Sequence, residues 1–168
     1  MKQLDKHNKI DNYVSSEPSD VDLDQLRQII KDDDDLYRYF FHKVDEKWLD
    51  YLWYDGFLNN LKKNLDGLPK YTGRMPEILY LIRISEKVPE KICEIINQIK
   101  VTKETYNPEV LEGFLSILVK SPMECIIKII KKINNEKWIP LMGQRNEHLP
   151  YYEKIFAKLF EDEKYQVI

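Results

Sequence analysis

Two stretches of the sequence decide the fold: PEILYLIRISEKVPEKICEIINQI at residues 76–99 and PEVLEGFLSILVKSPMECIIKIIKKI at residues 108–133. Each contains two runs in which apolar residues recur every three or four positions. That spacing is typical of amphipathic helices. Each run starts with a proline, which suits the first position of a helix because its missing N–H would be unpaired there anyway. Each stretch is therefore predicted to form a helical hairpin.

The two predicted hairpins also repeat one another. Residues 76–79 (PEIL) match residues 108–111 (PEVL) at a separation of 32, and the isoleucine-rich second helices align at a separation of 34. A repeat of this length filled by two helices indicates an α-solenoid, in which stacked hairpins share one core. We therefore expect an all-α fold of stacked antiparallel hairpins. A fainter match, DEKW at 45–48 with NEKW at 135–138, predicts related packing positions for Trp48 and Trp138.

Composition supports helices and excludes several classes of protein. Only 5 of the 168 residues are glycine, and 33% are charged. Residues 1–36 carry 5 basic and 10 acidic side chains, whereas residues 37–168 carry 21 basic and 19 acidic side chains. Neither part is basic enough to favour a duplex-DNA binder. No apolar run approaches the ~20 residues that cross a bilayer, and the N-terminus lacks the apolar core of a secretory signal. We expect a cytoplasmic protein without a membrane partner.

The chain is predicted to have two parts. Residues 1–20 are polar and lack periodicity, which favours a flexible tail. Residues 21–168 form the helical-repeat domain, with an irregular internal loop at 58–74 where glycines and a proline cluster. Predicted helix caps are Asp22, Asp45, Asn107 and a Ser121–Glu124 capping box. A final helix from about residue 150 is predicted to turn four apolar side chains inward: Ile155, Phe156, Leu159 and Phe160.

The hairpins at 76–99 and 108–133 resemble HEAT-like or armadillo-like repeats. The aromatic run YFFHKV at 39–44, the following DEKWL and the DGF at 55–57 extend the resemblance over roughly residues 36–133. This pattern is similar to helical segments of large prokaryotic multidomain proteins, some of them implicated in antiphage defence. The resemblance implies a scaffold or sensor role and names no catalytic residue. Because a repeat stack that ends a few residues after the last predicted helix would leave its last face uncovered, we expect the chain to be a fragment of something larger or a subunit that docks at this end.

The sequence shows no motif for catalysis or cofactor binding. Phosphate-binding glycine loops and the G-x-S-x-G nucleophile motif are absent. The three histidines, His7, His42 and His148, lack the spacing of a metal site. We interpret the run 32–35 (DDDD) as a solvated helix junction rather than a cation site. A docking site for a basic partner is an alternative that stays open. We predict no enzyme activity, no cofactor and no metal.

Cys93 and Cys125 lie in apolar helical runs without CxxC spacing. Buried free thiols are favoured over a disulfide or a metal site, because free cysteine is among the most buried residue types. Free thiols would fit a reducing compartment.

Nine aromatic residues lie between residues 37 and 57, too many for one helical stripe to bury. Phe40, Phe41, Trp48 and Leu52 are the predicted core residues. Exposed aromatic side chains suit protein interfaces because they supply contact area at low entropic cost. The predicted partner-binding residues are the tyrosines Tyr37, Tyr51 and Tyr54. The function predicted from the architecture is a protein-binding or scaffold module.

The alternative function is a nucleic-acid-associated adaptor. Its candidate phosphate contacts lie on or beside the helix predicted at 122–133, and they are Lys120, Lys128, Lys131 and Lys132. Lysines along one helix face can neutralise phosphates. More often such a stripe is the solvated side of an amphipathic helix. Steep salt dependence of binding would separate this function from protein binding.

Overall fold

A computed structural model describes residues 3–63, 74–139 and 149–161, and within these ranges the chain is helical without any strand. The α-helices are α1 (Gln3–Ser15), α2 (Leu23–Ile30), α3 (Asp34–Lys43), α4 (Leu49–Tyr54), α5 (Pro76–Ile84), α6 (Pro89–Gln98), α7 (Pro108–Lys120), α8 (Met123–Asn135) and α9 (Leu149–Glu161). Short 3₁₀ helices occupy Pro18–Asp20, Glu46–Trp48 and Asn59–Lys62. The all-α prediction is confirmed for this part of the chain.

The helices contact one another in two series. In the first, α1 packs on α3, α3 on α5, α5 on α7 and α7 on α9. In the second, α6 packs on α8, and α8 reaches α9. Some residues matched by the repeat have matched burial, since Ile92 and Ile126 are both fully buried, as are Ile78 and Val110.

The helix starts follow the capping chemistry of the sequence, with one exception. Asp22 and Asn107 accept hydrogen bonds from Gln25 N (2.9 Å) and Glu109 N (3.0 Å) as predicted. The capping box at Ser121 is wrong. Ser121 ends α7, and its hydroxyl donates back to the Ile117 carbonyl at 3.0 Å. No side chain caps α8, whose N-cap is Pro122.

The prediction of a flexible tail at residues 1–20 is wrong. Residues 3–15 form α1, which packs on α3 and fully buries Ile10. Two polar contacts hold it: Tyr39 donates to Asp11 at 2.8 Å, and Lys6 pairs with Asp33 at 2.8 Å. The apolar stripe of α1 is narrow and the helix is polar on average. The amino-acid composition of this segment therefore did not indicate a packed helix. Of the predicted loop at 58–74, residues 59–62 are 3₁₀ helix, and 64–73 lie outside the described residues.

The core contains every side chain predicted for it between residues 37 and 57. Phe40, Phe41, Trp48 and Leu52 are at most 1% exposed. Trp48 and Trp138 are both buried, and each packs against a phenylalanine. Trp48 meets Phe40 of the preceding α3 at 5.7 Å, whereas Trp138 meets Phe114 of α7, two helices back along the chain, at 6.2 Å. Both tryptophans therefore pack against a phenylalanine, but the two phenylalanines come from helices at different distances along the chain.

The last helix departs from its predicted orientation. Ile155 is buried and Leu159 is half-buried, but Phe156 and Phe160 are exposed. The buried side of α9 is held by Lys158, which donates to the carbonyls of Val119 (3.2 Å) and Ser121 (2.9 Å) at the end of α7. A cation at a helix C-terminus satisfies free carbonyls and meets the negative end of the helix dipole. Ile155 and Lys158 thus lie on the side of α9 that faces the rest of the chain, and both phenylalanines lie on its exposed side.

Candidate interaction surfaces

A groove of about 560 Å³ opens between α1, α3 and α5. Its lining is His7 from α1, then Asp35, Arg38, Tyr39, Phe41 and His42 from α3, and Pro76, Leu79, Tyr80 and Arg83 from α5. The volume lies within the range of about 300–1,000 Å³ that binding pockets in proteins occupy. Sequence reasoning did not find this groove, because its residues come from three helices and share no motif.

Arg83 fixes one end of the groove. Its guanidinium donates to the backbone carbonyls of Phe41 (3.0 Å), His42 and Val44, at the C-terminus of α3. All of these acceptors are main-chain atoms, and Arg83 forms no ion pair within the described residues. Arg83 therefore joins α3 to α5 through backbone carbonyls, and no carboxylate among the described residues neutralises its charge.

Two tyrosines form a fixed wall. Tyr80 donates to the Asp45 carbonyl at 3.0 Å, and burial raises the pKa of its phenol well above the usual value. Tyr39, bonded to Asp11, lies edge-on to His7 with ring centroids 4.6 Å apart. Hydrogen bonds and a ring contact therefore hold both wall side chains in position.

Behind this groove lies a buried carboxyl group at the start of α5. Glu77 is fully buried, and its Oε1 accepts hydrogen bonds from the Tyr37 hydroxyl (2.5 Å) and from Asn60 Nδ2 (2.8 Å). Its Oε2 is buried and has no hydrogen-bond partner within the described residues. Burial raises the pKa of Glu77, although the hydrogen bonds from Tyr37 and Asn60 and the charge of Lys63 act to lower it.

The three tyrosines predicted to bind a partner do not form one surface. Tyr37 is half-buried and directed at Glu77, so its placement on an exposed face is wrong. Tyr51 (37% exposed) and Tyr54 (83% exposed) lie on α4, whose Asp50 pairs with Lys91 of α6. The α4 tyrosines are accessible, and they are separate from the groove.

The lysine stripe is only partly available. Lys120 pairs with Glu86 at 2.5 Å. Lys132 pairs with Glu136 at 2.6 Å, and its side chain is only 9% exposed. Lys128 and Lys131 are exposed and form no ion pair within the described residues. Two of the four predicted phosphate contacts thus already have carboxylate partners.

The two cysteines form a disulfide, so the expectation of free thiols is wrong. Cys93 of α6 and Cys125 of α8 are bonded, with 5.9 Å between their Cα atoms. Both lie beside a surface cavity of about 400 Å³ that Glu90, Glu94 and Lys128 also line. Spacing along the sequence could not reveal the pair, because it depends on how α6 packs on α8. The argument from free thiols to a reducing compartment no longer applies.

Neither a metal site nor a membrane span is found in the part of the chain that the structure describes. No three His, Cys, Asp or Glu side chains within it converge so that they could hold a metal ion. His148 lies outside the described residues. No described helix has the length and hydropathy needed to span a bilayer.

Comparison with protein-family models, with curated proteins and with solved structures finds no match to this chain.

Proposed function

We propose that this chain is a non-catalytic protein-binding module built from HEAT-like or armadillo-like repeats stacked as a short α-solenoid. The observation that carries the proposal is the succession α1, α3, α5, α7, α9, in which each helix packs on the next. Such a row buries a shared core and leaves one side of each helix for a partner. In this proposal the module is a scaffold within a larger assembly, of the kind used in prokaryotic antiphage defence.

Exposed apolar side chains support protein binding over a purely structural role. Tyr54 on α4, Leu79 on α5 and Phe160 on α9 are large exposed side chains. Tyrosine and phenylalanine are enriched in protein interfaces because they bury much apolar area at low entropic cost. The nucleic-acid alternative depends on Lys128 and Lys131, and two lysines supply a weak phosphate contact.

Affinity capture from the source cell, with and without nuclease, tests this function. We expect a protein partner that survives nuclease treatment. Removal of the α4 side chains in a Tyr51→Ala, Tyr54→Ala variant measures how much of the binding uses that face, and its thermal melt should match the wild type. Loss of every bound protein after nuclease treatment would instead favour the nucleic-acid adaptor. Binding to a short DNA duplex that weakens steeply with salt, and that Lys128→Ala reduces, would identify it.

A further inference from the structure

We propose that the groove between α1, α3 and α5 binds an acidic peptide segment of a partner protein, with one large apolar side chain of that segment against Leu79. The inference rests on the proposed protein-binding function and adds to it the place and the chemistry of recognition. Apolar surface, charge and rigidity of the groove each support it.

The apolar part of the site is Leu79, which is exposed although the matching position in the second hairpin is buried. Leu79 is 44% exposed, whereas Leu111, its counterpart in the second hairpin, is 1% exposed. The groove exposes Leu79 beside the buried Pro76 and Tyr80. Covering a leucine of this kind removes apolar surface from water, which favours association. A partner side chain of leucine or phenylalanine size would give Leu79 the packing that Leu111 already has.

The charged part of the site selects an acidic partner. Arg38 and Arg83 line the groove with a single carboxylate, Asp35, and two histidines complete the polar lining. Arg83 donates to three backbone carbonyls and lies over the Tyr80 ring, and it forms no ion pair with an acidic side chain in the part of the chain that the structure describes. Lys43 lies just outside, with its amine 5.1 Å from the centre of the Tyr39 ring. A cationic rim around an apolar floor attracts carboxylates and speeds their association.

The groove needs little reorganisation to bind. Tyr39 and Tyr80 are held by their hydroxyl hydrogen bonds, and Arg83 is held by the end of α3. Side chains that are already fixed lose little entropy on binding, and this raises affinity without added contacts.

The probe is a synthetic peptide of glutamates around one central phenylalanine, blocked at both ends and titrated into the full chain by NMR. We expect amide shifts in α3 and α5, and an affinity that falls as salt is raised. Two control peptides separate the contributions. Replacing phenylalanine by alanine, or the glutamates by glutamines, should each weaken binding by at least about tenfold. Equal affinity for the glutamine peptide, or shifts confined to other helices, would overturn the inference.

Matched protein variants complete the test. Leu79→Glu changes an exposed side chain in the groove, and Tyr54→Glu makes the same change on α4. We expect Leu79→Glu to weaken the peptide at least about tenfold and Tyr54→Glu to leave its affinity within about twofold. A single-stranded oligonucleotide that displaces the peptide at lower concentration would assign the groove to nucleic acid instead.

The partner captured from cells keeps this inference distinct from the proposed function. If the wild type captures a protein partner and Leu79→Glu does not, both stand. If Leu79→Glu captures it as well as the wild type does, the groove assignment fails and protein binding stands. If the wild type captures no protein partner, the proposed function fails.

Discussion

The Tyr37 hydroxyl donates a 2.5 Å hydrogen bond to Glu77, a buried carboxyl group 40 residues further along the chain. The matching position in the second hairpin acts differently. Glu109 accepts a hydrogen bond from Met75 N at 3.0 Å and so meets the N-terminus of α5. Glu77 and Glu109, which follow matched prolines, therefore have different structural roles. Glu77 lies inside the core, and Glu109 joins two helices.

Replacing Glu77 by glutamine should change how stability depends on pH. Burial raises the pKa of Glu77 in the folded state. Its favourable contribution is therefore complete below the ordinary pKa of glutamate and is lost as pH rises through the raised value. Because glutamine cannot ionise, Glu77→Gln should gain stability relative to the wild type as pH rises. The gain should be at most about 1.4 kcal/mol per pH unit. Urea unfolding between about pH 5 and pH 8 measures it.

The control for this prediction is Glu90→Gln, at an exposed position on α6. It makes the same substitution in an exposed glutamate and so measures the effect of the glutamate-to-glutamine change itself. A constant difference between Glu77→Gln and the wild type across the pH range would show that Glu77 titrates as it does in the unfolded chain.

A methyl group at Gly113 should destabilise the contact between α5 and α7. A Cβ there would overlap the side chain of Ile78, which is buried and cannot move away freely. Alanine favours a helix over glycine by about 1 kcal/mol, but overpacking a core costs about 1–3 kcal/mol. We expect Gly113→Ala to lower the free energy of unfolding by about 1 kcal/mol.

A double-mutant cycle provides the check. In an Ile78→Ala background the obstructing side chain is absent, so Gly113→Ala should become neutral or stabilising. If the effect of Gly113→Ala is the same in both backgrounds, its cost does not come from Ile78.

Phe40 should be among the most costly positions to truncate. It is fully buried and packs against Phe41, Trp48 and Phe57. Phe40→Ala removes a large side chain and leaves a cavity, and we expect a loss of about 3–5 kcal/mol. Tyr54→Ala, which alters an exposed aromatic on α4, should stay within about 0.5 kcal/mol of the wild type. Chemical unfolding and thermal melts compare the three proteins. A melt of Phe40→Ala within 1–2 °C of the wild type would contradict the core assignment.

Periodicity predicted most of the helices because it reports which side of a helix is apolar. It identified the core residues of α3 and the proline-led starts of α5, α6 and α7. It missed α1, whose buried Ile10 stands in a polar stretch where tertiary packing outweighs composition. It also misjudged Phe156 and Phe160, because the apolar spacing of α9 is compatible with more than one rotation of the helix.

Little of the groove between α1, α3 and α5 could be predicted from the sequence. The groove joins His7, Tyr39 and Leu79 from three helices, and their proximity depends on helix packing rather than on spacing. The exposure of Tyr51 and Tyr54 could be predicted, since α4 has more aromatic residues than it can bury. The hydrogen bond from Tyr37 to Glu77 could not, because it joins residues 40 positions apart.

Reduction of the Cys93–Cys125 disulfide should destabilise the protein. The bond joins α6 to α8 across 32 residues, and closing a loop of that length restricts the unfolded chain. The expected contribution is about 3–4 kcal/mol. A dithiol reductant should therefore lower the melting temperature of the wild type and leave a Cys93→Ala, Cys125→Ala variant unchanged. Thiol titration of the unfolded, unreduced protein should find no free thiol, and two reactive thiols per chain would show that the cysteines are not bonded.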